Sequence, residues 1–547
     1  MNEFTFGANI LENLTTGMYR DSKVLFREYI QNACDSIDKA EEYKILPKRE
    51  TSGKYPNTGQ GRINIWLNPD KRQISIEDNG TGIKSEDFKR ILGNIADSDK
   101  TLGKEKGFRG IGRLCGLAYC NKLVFTSRYA NEKIVSIMTC DALKMRKMIN
   151  DTNIKIDKYS AIEVLDAMTE FSVRNATSDE PAHFFKVELI NINEENEELF
   201  GGKENGGIET LIDYLSFIAP VPYQANFVYR SEIYTHVKKL NLRIDEYDIR
   251  VNAQQIFKKY KTHIETGSGQ DDVFGVEFHN FYLADNTLLA WMWFGKTSFK
   301  AAIKDGEKSR GLRLRKENIQ IGDEDTLRNM FTRESSKRGN NYFVGEIFAT
   351  SPELIPNSQR TYFNENPIRI NFEHNLNDYF NNTLYDIYYD GSDTSASVKK
   401  IISYNEAFLN FEKKNSEGFV SKKEHETEKQ ILEEKKKAAE KAKKNLEKKC
   451  REGGKSILGK EIAKRRVSEI GLMHEGKNQQ ISIEIPDIRI PQSGKKKNLT
   501  DIMFPGHNNA ERKLLSEMLE KIFIIIRNST DKKNAEIIIN RIRTDLK

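Results

Sequence analysis

Three short stretches near the N-terminus constrain this 547-residue chain more than any other feature. The first, residues 28–35, reads EYIQNACD; the second, residues 78–82, reads DNGTG; the third, residues 107–112, reads GFRGIG. The first places an acid and an amide one helical turn apart, the second places an acid in a glycine turn, and the third is a glycine-rich loop. Each stretch alone is weak evidence for a functional site, so the prediction made below depends on all three occurring together.

The first stretch lies in an amphipathic pattern that runs from Ser22 to Lys39. Glu28 and Asn32 therefore share one helix face, and Asp35 follows one turn later. Mg²⁺ prefers oxygen ligands and keeps several waters, which favours Asn32 as its ligand beside nucleotide phosphates. A carboxylate in the same space can act on the water that attacks a γ-phosphate, so we predict Glu28 as the base. For this stretch alone, a solvated surface helix is the alternative.

The second stretch follows a predicted hairpin. Residues 63–67 and 72–77 alternate apolar and polar side chains around an Asn-Pro-Asp-Lys turn. Asp78 comes directly after the second strand, where its carboxylate can accept a hydrogen bond from the exocyclic amine of adenine. Gly80 and Gly82 would let a flat base approach the backbone. A plain Asp-Asn-Gly turn is the alternative.

The third stretch is rich in glycine and cations. Gly107, Gly110 and Gly112 can present amide N–H groups to phosphates, and Arg109 lies among them. The loop lacks the Gly-Lys-Ser/Thr ending of a P-loop, so that class of site is not supported. A flexible surface loop is the alternative, but together the three stretches predict an ATP site with a mobile lid.

Two segments resemble a known family. Residues 26–39, FREYIQNACDSIDK, and residues 92–98, LGNIADS, resemble the first motif and the start of the lid in the ninety-kilodalton heat-shock chaperones. These proteins belong to the GHKL ATPases with gyrase, histidine kinases and MutL. The resemblance implies an N-terminal Bergerat-fold α/β sandwich that hydrolyses ATP slowly with Mg²⁺. In it Glu28 is the base, Asn32 the metal ligand and Asp78 the adenine contact; Asp35, Gly80, Gly82, Gly107, Arg109, Gly110 and Gly112 complete the nucleotide site.

Two further segments extend the resemblance. Residues 353–363, ELIPNSQRTYF, resemble the chaperone middle-domain loop that carries a catalytic arginine, which implies that Arg360 reaches the γ-phosphate when two domains dock. A structural loop arginine is the alternative. Residues 311–322 resemble a basic segment of MORC-like and MutL-like members, and Lys316 is a candidate phosphate contact.

The chain also departs from the family. The superfamily often has a Gly-Thr pair entering the strand after the lid, but the best matching strand, residues 184–190, begins with two phenylalanines. The polar contact to the nucleotide that this threonine makes in the family has no counterpart in this strand, and which residue replaces it is left open. Asp97 stands where chaperones tend to carry a lid lysine, and Lys100 or Arg109 would have to substitute for it.

The remaining chain divides by composition, and the fold class expected is α/β (α+β). We predict an ATP-binding domain at 1–200, an α/β transducer domain at 208–390, a charged helical, partly coiled-coil segment at 395–470, a flexible basic linker at 475–505 and a C-terminal helical segment at 506–547. Leu432, Ala439 and Leu446 are seven apart, a thin seam that favours a long solvated helix or a weak coiled coil. The apolar stripe of the C-terminal segment packs either on a second copy or within the same chain.

Charge and cysteine content exclude some classes. The chain has a net charge of +6; residues 401–547 contribute about +10, and 6 minus 10 leaves −4 for the first 400. Five cysteines without C-x-x-C spacing argue against zinc and a disulfide framework. The absence of an apolar run near 18 residues and of a secretory leader predicts a cytoplasmic protein with no membrane contact.

We therefore expect an ATP-driven homodimeric clamp that remodels a protein client. A MORC-like or MutL-like clamp that binds DNA through the basic C-terminal region is the close alternative, and a non-hydrolysing ATP-binding scaffold is the third. A histidine kinase is disfavoured because no phosphoacceptor helix pair fits upstream of the first motif. A topoisomerase is disfavoured because its cleavage domain is not evident in the sequence.

Overall fold

The structure is a computed structural model that describes residues 7–13, 21–49, 60–94, 112–149, 159–202, 207–471, 473–475, 481–483, 485–487 and 503–545. The chain divides into two compact units. The first unit comprises Met1–Thr297 and Ala302–Asn382, and the second comprises Ser298–Ala301 and Thr383–Lys547. Within the described residues, none of the helices combines the length and apolar character needed to span a membrane.

Eight strands form the main sheet of the first unit, in the order β5-β4-β3-β6-β2-β1-β7-β8. They are β1 Arg62–Asn68, β2 Gln73–Asp78, β3 Cys120–Arg128, β4 Ile134–Asp141, β5 Thr169–Asn175, β6 Phe184–Ile192, β7 Asp248–Val251 and β8 Gln254–Gln255. Neighbouring strands are antiparallel except β1 and β7, which are parallel. The predicted hairpin is confirmed, because β1 pairs with β2 and Ile63 lies opposite Asp78.

Helices cover one face of this sheet. They are α1 Asn9–Glu12, α2 Val24–Glu42, α3 Ser85–Gly93, α4 Ala142–Ile149, α5 Ala161–Met168 and α6 Ile208–Ile218. Ile63 and Ile65 of β1 are buried in the same core as Phe26 and Ile30 of α2, whereas the intervening Trp66 is 48% exposed. The alternation shows one face packed on helices and one open to solvent. The predicted α/β sandwich is confirmed.

A second α/β region completes the first unit. Its strands are β9 His263–Thr266, β10 Gly269–Asp272, β11 Gly275–Tyr282, β12 Leu288–Lys296, β13 Gly311–Lys316, β14 Ile319–Ile321 and β15 Val344–Ala349. Five of them form a sheet in the order β11-β12-β15-β13-β14, while β9 and β10 pair separately. Its helices are α7 Arg230–Lys239, α8 Glu334–Lys337 and α9 Pro367–Tyr379. Because β7 and β8 belong to the main sheet, that sheet extends past residue 208.

A buried ionic cluster lies in this second region. Glu346 of β15 accepts hydrogen bonds from Lys258 at 3.0 Å, from the Trp293 indole at 3.3 Å and from Arg315 of β13. Arg315 also donates to the Phe217 carbonyl of α6 at 2.7 Å. Burial alone would raise the pKa of Glu346, but the two cations bring it down to about 2. The cluster fixes α6 against the second sheet.

The second unit is mainly helical. Its elements are α10 Tyr385–Glu417, α11 Lys422–Glu452, α12 Gly459–Glu469, α13 Asn509–Ser529 and α14 Lys532–Asp545, with a short antiparallel pair formed by β16 Met473–Glu475 and β17 Ile481–Ile483. The three apolar residues spaced by seven, Leu432, Ala439 and Leu446, are buried in one core with Val398 and Ile401 of α10. The predicted long charged helix is therefore present, and its thin seam packs within the same unit.

Candidate functional site

Helix α2 presents a polar stripe on an otherwise buried surface. Its side chains at Phe26, Tyr29 and Ile30 are buried, whereas Glu28, Asn32 and Ser36 are half-buried. Residues four apart on a helix lie one above the other, so these three side chains form a single row. The helix thus directs an acid, an amide and a hydroxyl to the same side, which is the side where the other predicted site residues lie.

Glu28 meets an arginine from the second α/β region. Its Oε1 atom lies 4.0 Å from Arg360 Nε, and the two side chains are 13% and 8% exposed. Among the described residues, Glu28 Oε1 is buried without a hydrogen-bond partner. A Cβ added at Gly112 would lie 2.2 Å from Glu28 Oε2, so a side chain there would displace the carboxylate. The predicted base and the predicted catalytic arginine are therefore adjacent, with a glycine beside them.

The Arg360 backbone is held in an uncommon conformation. Its φ is +52°, in the left-handed region that costs a residue other than glycine on the order of 1 kcal/mol. The Arg360 amide donates to the Asn357 carbonyl at 3.0 Å, and its carbonyl accepts from the Gly322 amide at 2.8 Å. Arg27 of α2 donates to the Gln359 carbonyl at 2.9 Å. These bonds hold the loop tip against α2.

Arg360 is surrounded by opposing charges. Burial lowers the pKa of its guanidinium, and the carboxylates of Glu28, Glu317 and Asp35 act in the opposite direction. Arginine remains protonated in proteins despite such burial. Asp35 is itself buried, on the turn of α2 that follows Asn32. The predicted nucleotide contact at Asp35 thus lies where it also influences the arginine.

Asp78 ends strand β2 in a buried position. Its Oδ1 accepts a hydrogen bond from the Gly80 amide at 2.9 Å. Burial raises the pKa of the Asp78 carboxyl to about 7, although hydrogen bonds from Gly80 and Ser36 act to lower it. A carboxyl group that titrates near neutrality at a strand end is a feature of functional sites.

The turn after Asp78 requires glycine at two positions. A Cβ at Gly80 would lie 2.1 Å from Ser36 Oγ, and a Cβ at Gly82 would lie 2.0 Å from the Arg128 carbonyl oxygen. Gly82 also has a φ of +66°. His183 Nδ1 makes a hydrogen bond with the Gly80 carbonyl at 2.6 Å. The turn is therefore packed closely enough that any side chain at either glycine would disturb it.

Some predicted residues are not brought to this cluster by the described structure. Gly107, Arg109 and Gly110 lie outside the described residues, as do Asp97 and Lys100. Gly112 begins a short 3₁₀ helix, Gly112–Ala118.

Lys316, at the end of β13, is buried and donates to the Ser351 carbonyl at 2.6 Å. Burial lowers the pKa of its ammonium group. This ammonium is directed to a backbone carbonyl, and its contact with phosphate stays a prediction.

The arrangement fits a magnesium nucleotide. Mg²⁺ keeps several waters and takes its other ligands from phosphates and one or two protein oxygens, which Asn32 can supply. No cluster of three or more His, Cys, Asp or Glu side chains suited to a metal occurs among the described residues, and this binding mode needs none. Glu28 Oε1 has no hydrogen-bond partner among the described residues, and the absence of a side chain at Gly112 leaves room beside the Glu28 carboxylate.

Two residues of the site were missed by sequence reasoning. Ser36 Oγ and Asp78 Oδ1 both lie next to Gly80, and Phe185 lies opposite Asp78 in the β2–β6 pairing. The position of Ser36 could have been found, because it continues the Glu28–Asn32 spacing by another four residues. Its partner could not, since the pairing of α2 with the β2 turn is visible only in three dimensions.

Comparison with known proteins identifies the first domain. The family described as histidine kinase-, DNA gyrase B- and HSP90-like ATPase matches residues 21–175. Those residues are therefore a GHKL-type ATPase domain, as the motifs predicted.

Parts of the chain are also similar to parts of proteins named as chaperones. The chain is 26% identical over 221 residues to the chaperone protein HtpG of Buchnera aphidicola subsp. Baizongia pistaciae, covering 37% of this chain and 34% of that protein. It is 34% identical over 91 residues to HtpG of Mesorhizobium japonicum, covering 17% of this chain and 14% of that protein. It is 25% identical over 197 residues to HtpG of Campylobacter jejuni subsp. doylei, covering 33% of this chain and 29% of that protein. The chain spans about a third or less of the length of these relatives.

Proposed function

We propose that the protein is a Mg²⁺-dependent ATPase that works as a homodimeric, ATP-driven clamp and remodels a protein client. The GHKL-type domain supports nucleotide binding, and the similarity to HtpG chaperones supports a chaperone-like role. One observation carries the proposal: Arg360 Nε lies 4.0 Å from the Glu28 carboxylate across 332 residues of sequence, in a unit that contains both. An acid and an arginine from different domains then act on one phosphoryl group.

The roles of the side chains follow from their chemistry. Glu28 orients the attacking water and takes its proton, because its Oε1 has no hydrogen-bond partner among the described residues. Arg360 stabilises the negative charge that develops on the γ-phosphoryl oxygens. Asp78 accepts a hydrogen bond from the adenine amine. Mg²⁺ bound through Asn32 would neutralise charge on the β- and γ-phosphates.

Phosphate release by the Glu28→Gln variant tests whether Glu28 is the base in ATP hydrolysis. We expect turnover to fall about hundred-fold or more, since general-base catalysis contributes about 10²–10⁴. ATP affinity should change little, because the substitution keeps the side-chain volume. Glu42→Gln, at the exposed end of the same helix, is the matched control and should retain full turnover.

Two outcomes would contradict this assignment. Equal phosphate release from wild type and Glu28→Gln would remove Glu28 as the base. ATP binding without any release by the wild type would favour the non-hydrolysing scaffold.

A DNA clamp remains the second candidate because of one feature of α11. Lys437, Lys441, Lys444 and Lys448 are exposed at spacings of four, three and four, which places them on one helix face. Within the described chain, none of the four has an ion pair. Such a row suits phosphate backbones. Turnover that rises with duplex DNA, and loses that rise as salt increases, would favour DNA; no binding at low salt would exclude it.

A further inference from the structure

Among the described residues, the two that lie directly opposite Asp78 in the neighbouring strands are apolar. In the sheet, Ile63 of β1 and Phe185 of β6 lie directly opposite Asp78 on either side. Phe185 is the second residue of β6, the strand in which the family resemblance leads one to expect a polar residue. A buried carboxylate needs hydrogen bonds to remain ionised, so the partners must come from outside the sheet.

Helix α2 supplies one of those partners. The Ser36 hydroxyl lies beside the Asp78 carboxylate and acts to lower its pKa, and the Gly80 amide donates a hydrogen bond to Asp78 Oδ1 at 2.9 Å. A Cβ at Gly80 would lie 2.1 Å from Ser36 Oγ and 2.7 Å from Asp78 Oδ1, so both oxygens lie next to the backbone of Gly80. The Thr81 amide also donates to the Ser36 carbonyl at 3.3 Å, which ties this turn of α2 to the strand end.

We propose that Ser36 is a positioning residue that keeps Asp78 oriented and ionised, and thereby determines selection of a nucleobase with an exocyclic amine. The proposal rests on the proposed ATP-binding function and adds a residue to it. Through Ser36, the helix that carries Glu28 and Asn32 also controls recognition of the base.

The groups around Asp78 indicate in which direction its pKa changes when the Ser36 hydroxyl is removed. Burial raises the pKa of Asp78 to about 7 and Glu77 acts in the same direction, while the Gly80 amide and the Ser36 hydroxyl act to lower it. His183, another titratable side chain at this turn, is hydrogen-bonded to the Gly80 carbonyl. Without the Ser36 hydroxyl, the carboxyl keeps its proton to higher pH. A protonated carboxyl donates a hydrogen bond, so it no longer prefers an amine to a carbonyl at the purine 6-position.

The test compares dissociation constants for ATP and inosine triphosphate, measured by calorimetry on the full chain between about pH 6 and 8. The two nucleotides share the triphosphate, so the ratio of their constants cancels phosphate titration. In Ser36→Ala, we expect the preference for ATP at pH 7 to fall roughly ten-fold, the loss of one hydrogen bond to a charged group. The preference should recover as pH rises.

Two variants serve as controls. Ser36→Thr keeps a hydroxyl and should retain the pH profile of the wild type. Ser22→Ala removes a hydroxyl that bonds Glu198 at 2.6 Å, before the start of α2, and should also behave as wild type.

Three results would overturn the proposal. An unchanged ATP preference and pH profile in Ser36→Ala, in a wild type that binds ATP, would contradict the role of Ser36 alone. An equal loss of affinity for ATP and for inosine triphosphate in Ser36→Ala, at every pH, would show that Ser36 has a purely structural role. A wild type that binds neither nucleotide would overturn the proposed function and the role of Ser36 with it.

Discussion

At the end of β2, the Asp78 carboxyl is buried, and burial raises its pKa from 3.8 to about 7. Because the folded-state pKa is higher than the unfolded one, protonation stabilises the fold. That contribution is lost as pH rises through about 7. Above that pH, the ionised group costs folding free energy, with an upper limit on the order of 4 kcal/mol from 1.36 kcal/mol per unit. The same ionised form is the one that accepts a hydrogen bond from adenine.

Asp78→Asn should therefore separate stability from binding. We expect the melting temperature at pH 8 to equal or exceed that of the wild type, because the buried charge is gone. ATP affinity should fall about hundred-fold, since the amide oxygen is a weaker acceptor and the amide nitrogen opposes the adenine amine. Calorimetric melting and ATP titration on the same preparation measure both quantities.

Asp70→Asn is the control for this substitution, because Asp70 is exposed in the turn between β1 and β2. It should change neither quantity. Retained ATP affinity in Asp78→Asn would remove Asp78 as the adenine contact, and a marked loss of melting temperature at pH 8 would contradict the cost of its burial.

At this scale, sequence reasoning found side chains but not their partners. Glu28 and Asn32 follow from helical spacing and Asp78 from its place after a strand, and the structure puts Glu28 beside Arg360 and Asp78 beside Ser36. The partners depend on packing between segments far apart in sequence. No periodicity in the chain encodes those contacts.

At the scale of elements, local pattern predicted well where elements are long or alternate regularly. Helix α2, the β1–β2 hairpin and α11 follow from periodicity alone. Strands β7 and β8 are four and two residues long, too short to give a pattern. The parallel pairing of β7 with β1 joins segments more than 180 residues apart, which the sequence cannot specify locally.

Helix α13 carries an exposed apolar stripe that is a candidate surface for dimerisation. Phe523 of α13 and Ile539 of α14 pack in one cluster with Val420, so part of the hairpin is covered within its unit. Five further apolar residues of α13 are 41–62% exposed, and four of them form a regular series: Leu514, Met518, Ile522 and Ile525. Their spacing of four, four and three places them on one face. A row of this kind is an association surface when a second copy covers it.

Acidic residues substituted into this stripe should prevent two copies of the chain from associating. We expect the double substitution Met518→Asp and Ile525→Asp to convert a dimer into a monomer in sedimentation experiments, because two buried carboxylates would be unpaired. Ile457→Asp is the matched control, as Ile457 is 74% exposed in the same unit and off the stripe. A wild type that sediments as a monomer, or a double variant that stays dimeric, would contradict dimerisation through α13.

At the scale of the whole molecule, charge separates the chain into an acidic first part and a basic second part. The net charge of +6 comprises about +10 from residues 401–547 and −4 from the rest. The predicted ATP site lies entirely in the acidic part.

We propose that hydrolysis needs Arg360 in addition to the GHKL-type domain. Sequence spacing could not place this arginine, since 332 residues separate it from Glu28; only the resemblance of residues 353–363 indicated it. In the structure, Arg360 is buried against Glu28 and its loop is bonded to Arg27. Binding of ATP, by contrast, should depend on α2 and the Asp78 turn.

The most direct test is to measure ATP turnover and ATP affinity in Arg360→Ala, with Arg328→Ala, an exposed arginine of the same α/β region, as control. We expect turnover to fall about 10³-fold, as for arginines that stabilise phosphoryl transfer, with affinity within a few-fold of wild type. The control should match wild type in both. Unchanged turnover in Arg360→Ala, or loss of ATP binding in place of turnover, would contradict the account.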